Sequence, residues 1–117
     1  MKEIKNNEEP NELDVLCSSV KALAVNGEYE TCFKMAYAAM ENYPHAPHPH
    51  NLAGILLEKT GDHLGAMKHF RAAWALDPAY RPANVNLQTY GTFYSSGAAA
   101  FDESDCPSEE PKKAQLQ

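Results

Sequence analysis

Residues 50–78 read HNLAGILLEKTGDHLGAMKHFRAAWALDP, and this stretch decides the fold. Apolar residues recur in it at helical spacing on both sides of Gly61-Asp62, a pair that is typical of a turn. The second helix is expected to span roughly residues 63–76. Asp77-Pro78 should end it, because the residue before a proline avoids the α region. The stretch therefore predicts two helices joined by a tight turn and packed as an antiparallel pair.

The side chains along the seam between these two helices differ in size with their position. Gly54, Ala66 and Ala73 are small where the helices must approach closely, and Leu57 and Phe70 fill the wider parts. We expect Gly54 and Ala73 to lie in tight contact between the paired helices. Neither helix can bury its apolar face alone, so further helices must cover the pair.

The same pattern occurs earlier in the chain at an offset of 34 residues. That offset is the length of one helix-turn-helix unit in a stacked repeat array. The two copies span roughly residues 13–46 and 47–80. Because arrays of this kind usually bind other proteins, the repeat predicts the class of function but not the partner. The residues that are identical at this offset are Leu23 and Leu57, Gly27 and Gly61, Lys34 and Lys68, Ala38 and Ala72, Ala39 and Ala73, and Pro44 and Pro78.

Small, turn and apolar residues follow a definite order within the second copy. It reads His50-x2-Ala53-Gly54-x2-Leu57, then Ala66-x3-Phe70, Ala73 and Pro78. This order resembles the tetratricopeptide repeat, whose pattern runs W-x2-L-G-x2-Y, then A-x3-F, then A and P. The match covers the small and turn positions and departs at the tryptophan position, where this chain has His50.

The first copy departs further from the family pattern. Val20 is bulky where the family has Gly or Ala, and Ala36 is small where the family has an aromatic residue. We interpret the two departures as a redistribution of volume within one core, because cores tolerate swaps that conserve total volume. The copy reads Leu16-x2-Ser19-Val20-x2-Leu23, then Cys32-x3-Ala36, Ala39 and Pro44.

The resemblance implies an all-α fold in which antiparallel helix-turn-helix repeats stack as a short superhelix, an α-solenoid. Residues 13–101 would form this domain, and its last part, residues 81–101, is expected to hold a capping helix. Whether residues 92–101 add a further helix stays open. Residues 1–12 and 102–117 are polar and contain proline, so both are expected to be disordered tails, the second of them acidic.

The composition limits the classes of function. The 117 residues carry a formal net charge of −6, and the basic residues form no stripe, which argues against nucleic-acid binding. No run of about 18 apolar residues is present and the N-terminus lacks a signal-peptide pattern, so we expect neither a membrane span nor secretion. Three cysteines, an odd number, fit reduced thiols in the cytoplasm.

The feature most suggestive of a metal is the histidine loop, residues 43–50, which contains His45, His48 and His50. Imidazole suits zinc and nickel. No nearby cysteine or carboxylate completes a four-ligand set, however, so an exposed connector is the simpler interpretation.

The sequence also contains no catalytic motif and no phosphate-binding or dinucleotide-binding loop. We therefore expect no cofactor and no enzymatic activity.

The resemblance also implies a binding surface, because in tetratricopeptide proteins the first helix of each pair lines a concave groove. Asn51 is able to bond an extended backbone there, and Ile55 is able to accept an apolar side chain. Lys21 and Lys59 favour an extended partner with an acidic group flanked by apolar residues. The positions expected to face the groove are Asp14, Cys17, Lys21, Ala24, Val25, His48, Asn51, Ile55, Glu58, Lys59, Val85 and Thr89.

The leading prediction is a non-enzymatic interaction module, an adaptor or assembly factor for a protein or peptide partner. Two alternatives stay open. One is self-association into a homodimer, since family arrays usually have three or more repeats. The other is a metal-handling protein that uses the histidine loop. The two-carboxylate clamp by which family members hold chaperone C-termini is not expected, because its positions hold Cys17, Lys21, Leu52, Pro82 and Asn86.

Overall fold

Five α-helices form the part of the chain that the structure describes. This computed structural model describes residues 11–92 and 98–107. No strand occurs in those two ranges, so the predicted all-α class is confirmed. No helix in them has both the length and the apolar character needed to cross a membrane. The helices are α1 (Glu12–Val25), α2 (Tyr29–Asn42), α3 (His48–Lys59), α4 (His63–Leu76) and α5 (Arg81–Tyr90), and a 3₁₀ turn spans Glu103–Asp105.

Helix α3 lies at the centre of the packing. Each helix contacts the next one along the chain, and α3 also contacts both α1 and α5. The Leu52, Ile55 and Leu56 side chains of α3 are completely buried and form one core with residues of α1, α2 and α4. The span of residues 63–76 predicted for the helix after α3 is confirmed.

The turns that follow α1 and α3 have the same structure. Gly27 and Gly61 have φ values of 79° and 96°, which is the left-handed conformation that glycine adopts without strain. The amide of the next residue, Glu28 or Asp62, donates to a carbonyl of the last helical turn, at 3.0 and 2.8 Å. These bonds define a Schellman motif. The turn predicted at Gly61 is confirmed, and Gly27 repeats it in the first copy.

Short polar side chains cap the starts of α1 and α4. Asn11 accepts a hydrogen bond from the Asp14 amide at 2.8 Å, and Asp62 accepts one from the Gly65 amide at 2.9 Å. Each bond satisfies an amide that has no partner within its own helix. Helix α1 therefore begins within the predicted N-terminal tail, of which residues 1–10 lie outside the described residues.

A close approach between α3 and α4 depends on Gly54. A Cβ atom at this position would lie 2.5 Å from Cε1 of the Phe70 ring, so a larger residue has no room. Ala73 is completely buried and packs with Tyr80 and Ala83, toward α5, and its expected contact with Gly54 stays a prediction. The neighbour that requires a glycine at position 54 is therefore Phe70.

The first helix pair, α1 and α2, places its larger and its smaller buried residue in the opposite order. Val20 and Ala36 stand 34 positions before Gly54 and Phe70, and both are fully buried in the main core. A larger residue on the first helix of this pair thus goes with a small residue on the second. The arrangement is reversed in the second pair, which supports the interpretation that volume is redistributed within one core.

After α5 the structure describes residues 91–92 and 98–107. Residues 93–97 lie outside the described residues, and residues 98–100 have no regular secondary structure. The sequence predicted a tail beginning at Asp102, whereas in the structure residues 102–107 pack against α1 and α5. Tertiary contacts, which composition does not reveal, account for the difference. The remainder of the predicted tail, residues 108–117, lies outside the described residues.

Candidate interaction groove

Residues 98–107, which we call the strap, lie across α1, α3 and α5. The strap contacts Lys21 of α1, Asn51 of α3, and Arg81 and Asn86 of α5. These three helices carry the residues that the sequence analysis assigned to a binding groove. A segment of the chain itself therefore occupies the face that was expected to receive a partner.

Two buried asparagines hold the backbone of the strap at Ala100. The Ala100 N–H donates to Oδ1 of Asn86 at 2.8 Å, and its carbonyl accepts from Nδ2 of Asn86 at 2.8 Å and from Nδ2 of Asn51 at 3.0 Å. Nδ2 of Asn86 also donates to Oδ1 of Asn51 at 2.9 Å. All three residues are fully buried, so these polar groups satisfy one another without water. Asn51 bonds a backbone as expected, and that backbone is the chain's own.

The next strap residue, Phe101, inserts its ring into the main core. Its exposure is 6%, and it belongs to the same buried cluster as Cys17, Val20 and Leu52. Burial of an aromatic side chain contributes strongly to packing. The Nζ atom of Lys21 lies 6.0 Å from the centre of the Phe101 ring, at the outer limit of a cation–π contact.

Lys21 binds the carboxylate of Asp105. Its Nζ atom lies 2.6 Å from Oδ1 of Asp105, and the lysine side chain remains 43% exposed. This hydrogen bond raises the pKa of Lys21. Burial acts to raise the pKa of Asp105, but hydrogen bonds from Lys21 and from the Phe101 amide outweigh it and lower that pKa. Both groups are charged at neutral pH, so the acidic group expected at Lys21 is supplied by the strap.

Arg81 holds the far end of the strap. Its guanidinium donates to the carbonyl of Pro107 and lies 3.9 Å from the carboxylate of Glu103. The pair with Glu103 is solvent-exposed and long, so it contributes little to stability. Its effect is to place a second positive group against an acidic segment.

The residues predicted to face the groove differ in exposure. Cys17, Asn51 and Ile55 are completely buried and Ala24 is almost so, so these four belong to the core. Ile55 in particular is not open to an incoming side chain, because it packs within the main buried cluster. Of the remaining positions, Lys21, His48, Glu58, Val85 and Thr89 are half-buried, and Asp14, Val25 and Lys59 are exposed.

An acidic cleft of about 390 Å³ opens beside the strap. Four of its residues are carboxylates, so the potential there is negative and favours a positively charged group. Asp14 is the predicted groove residue on its α1 side, and the strap supplies part of its wall. The cleft is lined by Asp14, His48, Asp77, Tyr80, Asp102, Glu103 and Ser104.

Cys17 and Tyr80 meet in the interior next to this cleft. The sulfur of Cys17 lies 3.9 Å from the hydroxyl of Tyr80, and both residues are buried. Burial raises the pKa of Cys17 to about 11 and raises the pKa of Tyr80 above its ordinary value. Both groups are therefore protonated at neutral pH and do not supply a nucleophile or a base.

The three histidines of the histidine loop have different surroundings. His45 is exposed, the His48 ring lies 4.4 Å from the Tyr80 ring, and Nδ1 of His50 lies 3.0 Å from Nδ1 of His69. Burial lowers the pKa of both His48 and His50. Across residues 11–92 and 98–107, no group of three or more His, Cys, Asp or Glu side chains is placed to hold a metal ion.

Four residues of the site were not among the positions expected to bind, namely Arg81, Asn86, Phe101 and Asp105. One signal for Asn86 was available, because asparagine is unfavourable in a helix interior unless its amide has a partner. Phe101 was visible as an aromatic residue at the edge of a polar stretch. No local pattern pointed to Asp105, which lies 84 residues from Lys21.

The face of α1, α3 and α5 thus combines three means of holding a peptide. Two amide side chains bond a backbone, a buried site takes an aromatic ring, and a lysine binds a carboxylate. No protein-family model, curated protein sequence or solved structure shows a significant match to this chain.

Proposed function

We propose that this chain is a non-enzymatic protein-interaction module, an adaptor or assembly factor, that binds a protein or extended peptide through the face of α1, α3 and α5. The observation that carries the proposal is the position of the strap on this face. Amide groups bond its backbone, the core accepts its ring, and Lys21 binds its carboxylate. Peptide-binding domains use the same division, in which main-chain bonds give affinity and pockets or charges give specificity.

We further propose that the five helices form two tetratricopeptide-like pairs, α1–α2 and α3–α4, capped by α5. Contacts of α3 with both α1 and α5 support this arrangement. The equivalent turns at Gly27 and Gly61 support it as well, because they recur at the repeat spacing. The compartment that we propose is the cytoplasm, since Cys17, Cys32 and Cys106 are free thiols and disulfides are rare there.

Affinity capture from the source cells, followed by mass spectrometry, tests the proposed function. The full chain with Lys21→Glu is compared with the wild type, and Lys34→Glu is the control. Lys34 is an exposed lysine on α2, which is not one of the three helices that the strap contacts. Charge reversal at the groove should weaken capture in a salt-dependent way. The proteins retained by the wild type should be lost with Lys21→Glu and kept with Lys34→Glu, at unchanged circular dichroism.

Two results would contradict the proposal. The first is equal capture by the wild type and Lys21→Glu. The second is loss of capture when only residues 108–117 are removed, because recognition would then lie in the C-terminal residues. Ile55→Asp is unsuitable as a groove variant, since Ile55 is completely buried and an unpaired charge there would unfold the protein.

A further inference from the structure

We propose that the strap is a built-in, displaceable ligand of the groove, and that the partner binds by a segment of the same chemistry. That segment has a small residue followed at once by an aromatic residue, with a carboxylate four positions after the aromatic one, as in Ala100, Phe101 and Asp105. This inference rests on the proposed function and adds to it the kind of partner and a means of regulation.

The strap can leave without breaking a helix. The backbone groups of Ala100 and Phe101 are bonded by the side chains of Asn51, Asn86 and Asp105 rather than by neighbouring backbone. Release of the strap therefore removes no hydrogen bond from the five helices. Release of the strap exposes Ala100 and Phe101 but leaves the five helices intact, so it should require less free energy than unfolding of the whole domain.

The groove contacts the strap at three points, and these contacts differ in how strongly they select particular residues. Asn51 and Asn86 bond an N–H and a C=O, which any residue supplies, so they select an extended backbone but no side chain. Ala100 is completely buried between them, which favours a small residue at that point. The core site that takes Phe101 selects an aromatic or large apolar residue, and Lys21 selects a carboxylate.

The strap competes with any outside segment at high effective concentration. Only residues 91–97 separate it from α5 along the chain, and a connection this short gives an effective concentration on the order of a millimolar. A partner must therefore displace the strap, and loosening the strap should strengthen the binding of an outside segment. The groove would be regulated by the same contacts that define its ligand.

Hydrogen exchange of the full-length protein tests whether the strap opens. The Ala100 amide, which is bonded to Asn86, should exchange at least about 10-fold faster than the slowest amides of α3, because it opens without global unfolding. Its exchange rate should also rise less steeply with denaturant than that of the slowest α3 amides, because release of the strap exposes less surface than global unfolding does. Exchange of Ala100 at the same rate as the slowest α3 amides would overturn the proposal, since the strap would then be a fixed part of the core.

A labelled synthetic peptide of residues 98–107, with Cys106→Ser, tests the ligand chemistry. Full-length Phe101→Ala protein should bind it about 10- to 100-fold more tightly than the wild type, because the competing strap is weakened. Phe101 is buried in the core, so Asp105→Lys serves as a second variant with the strap loosened at a less buried residue. A control peptide that also carries Phe101→Ala should bind at least about 10-fold more weakly than the parent peptide.

Exchanging the charges of residues 21 and 105 tests whether Lys21 is the residue that binds the carboxylate of the peptide. Lys21→Glu protein should prefer a peptide with Asp105→Lys over the parent peptide, and wild-type protein should show the reverse preference. Equal binding of both peptides by both proteins would overturn the proposal. It would also be overturned if neither strap variant, Phe101→Ala or Asp105→Lys, bound the parent peptide more tightly than the wild type while circular dichroism showed the variants folded. The proposed function fails on a separate result, namely equal protein capture by wild type and Lys21→Glu.

Discussion

Asn86 is the residue on which the strap depends most directly. Its amide exchanges two hydrogen bonds with the backbone of Ala100 and donates a third to Asn51, all in a completely buried setting. A buried amide of this kind stabilises one arrangement of the chain, because any other arrangement leaves polar groups without partners. The asparagine therefore links a helix to a segment that has no regular structure of its own.

Replacement of Asn86 by alanine should destabilise the protein. Removing the amide leaves the Ala100 N–H without its partner and Asn51 with one bond fewer, which costs about 1–3 kcal/mol. Urea unfolding followed by circular dichroism measures the change. Asn84→Ala is the matched control, since Asn84 is half-buried on the same helix, and its effect should be smaller. Equal effects of the two substitutions would contradict the role of Asn86.

The half-buried pair His50 and His69 predicts how stability depends on pH. Burial lowers the pKa of His50, and burial together with the neighbouring His50 lowers the pKa of His69, against a weaker opposing effect of Asp62. In the unfolded chain both histidines have an ordinary pKa of about 6.5. The unfolded state therefore binds protons first as the pH falls, so stability is full above that pH and declines below it.

Urea midpoints measured between pH 7.5 and 5.5, roughly one unit on either side of the ordinary histidine pKa, test this dependence. The midpoint should fall with pH in the wild type, and the fall should be shallower with His69→Gln. His45→Gln is the control, because His45 is exposed, and it should follow the wild type. A urea midpoint that rises as the pH falls would contradict the lowered pKa values of His50 and His69.

At the scale of the helical elements, the two helix pairs place a small residue on opposite helices of the pair. The second pair places Gly54 against Phe70, whereas the first pair buries Val20 and Ala36 at the equivalent positions. Each pair holds one small and one larger residue, so the helices can approach at either site. The size of one residue is therefore coupled to the size of its partner.

A double-mutant cycle tests this coupling. Gly54→Val forces a side chain into the Phe70 ring, where even a Cβ atom would be 2.5 Å away, and should cost at least about 1–3 kcal/mol. Phe70→Ala leaves a cavity and should cost about 3–5 kcal/mol. The double variant recreates the sizes found in the first pair, so it should cost less than the sum by at least about 1 kcal/mol. Additive costs would mean that the two sites are independent.

At the scale of the whole molecule, the strap covers the face that a partner or a second copy would otherwise use. A groove filled by the chain itself has less apolar surface to offer for self-association. We therefore expect a monomer of about 12.9 kDa in light scattering of the full-length protein. A mass near twice that value, lost with Lys21→Glu but kept with Lys34→Glu, would favour the homodimer alternative and place its interface on the groove.

The metal alternative has its own measurement. His45, His48 and His50 have different neighbours, and two of them face Tyr80 and His69. Calorimetry with zinc and with nickel should show at most weak binding, because imidazoles that do not converge make a poor cage. A submicromolar single-site isotherm that disappears when the three histidines are replaced by alanine would favour the metal alternative.

The sequence by itself determined the all-α class, the turns at Gly27 and Gly61 and the extent of α4. The helix after Gly61 ends where Asp77-Pro78 stops it, and Gly27 and Gly61 mark equivalent turns, because these signals act between residues close along the chain. The family resemblance assigned the expected groove to the first helix of each pair, and the strap contacts two of the positions on those helices. These two positions are Lys21 and Asn51.

Only the tertiary structure decided what lies on that face. Asn51 bonds a residue 49 positions away and Lys21 binds one 84 positions away, and no local spacing predicts which distant segment supplies the partner. Burial of Ile55 has the same origin, because a periodic pattern assigns a residue to a face but does not show what packs against it. Polar composition predicted a free tail from Asp102. Lys21 and Arg81, on two helices distant in sequence, contact Asp105, Glu103 and Pro107 and so hold the first residues of that tail in place.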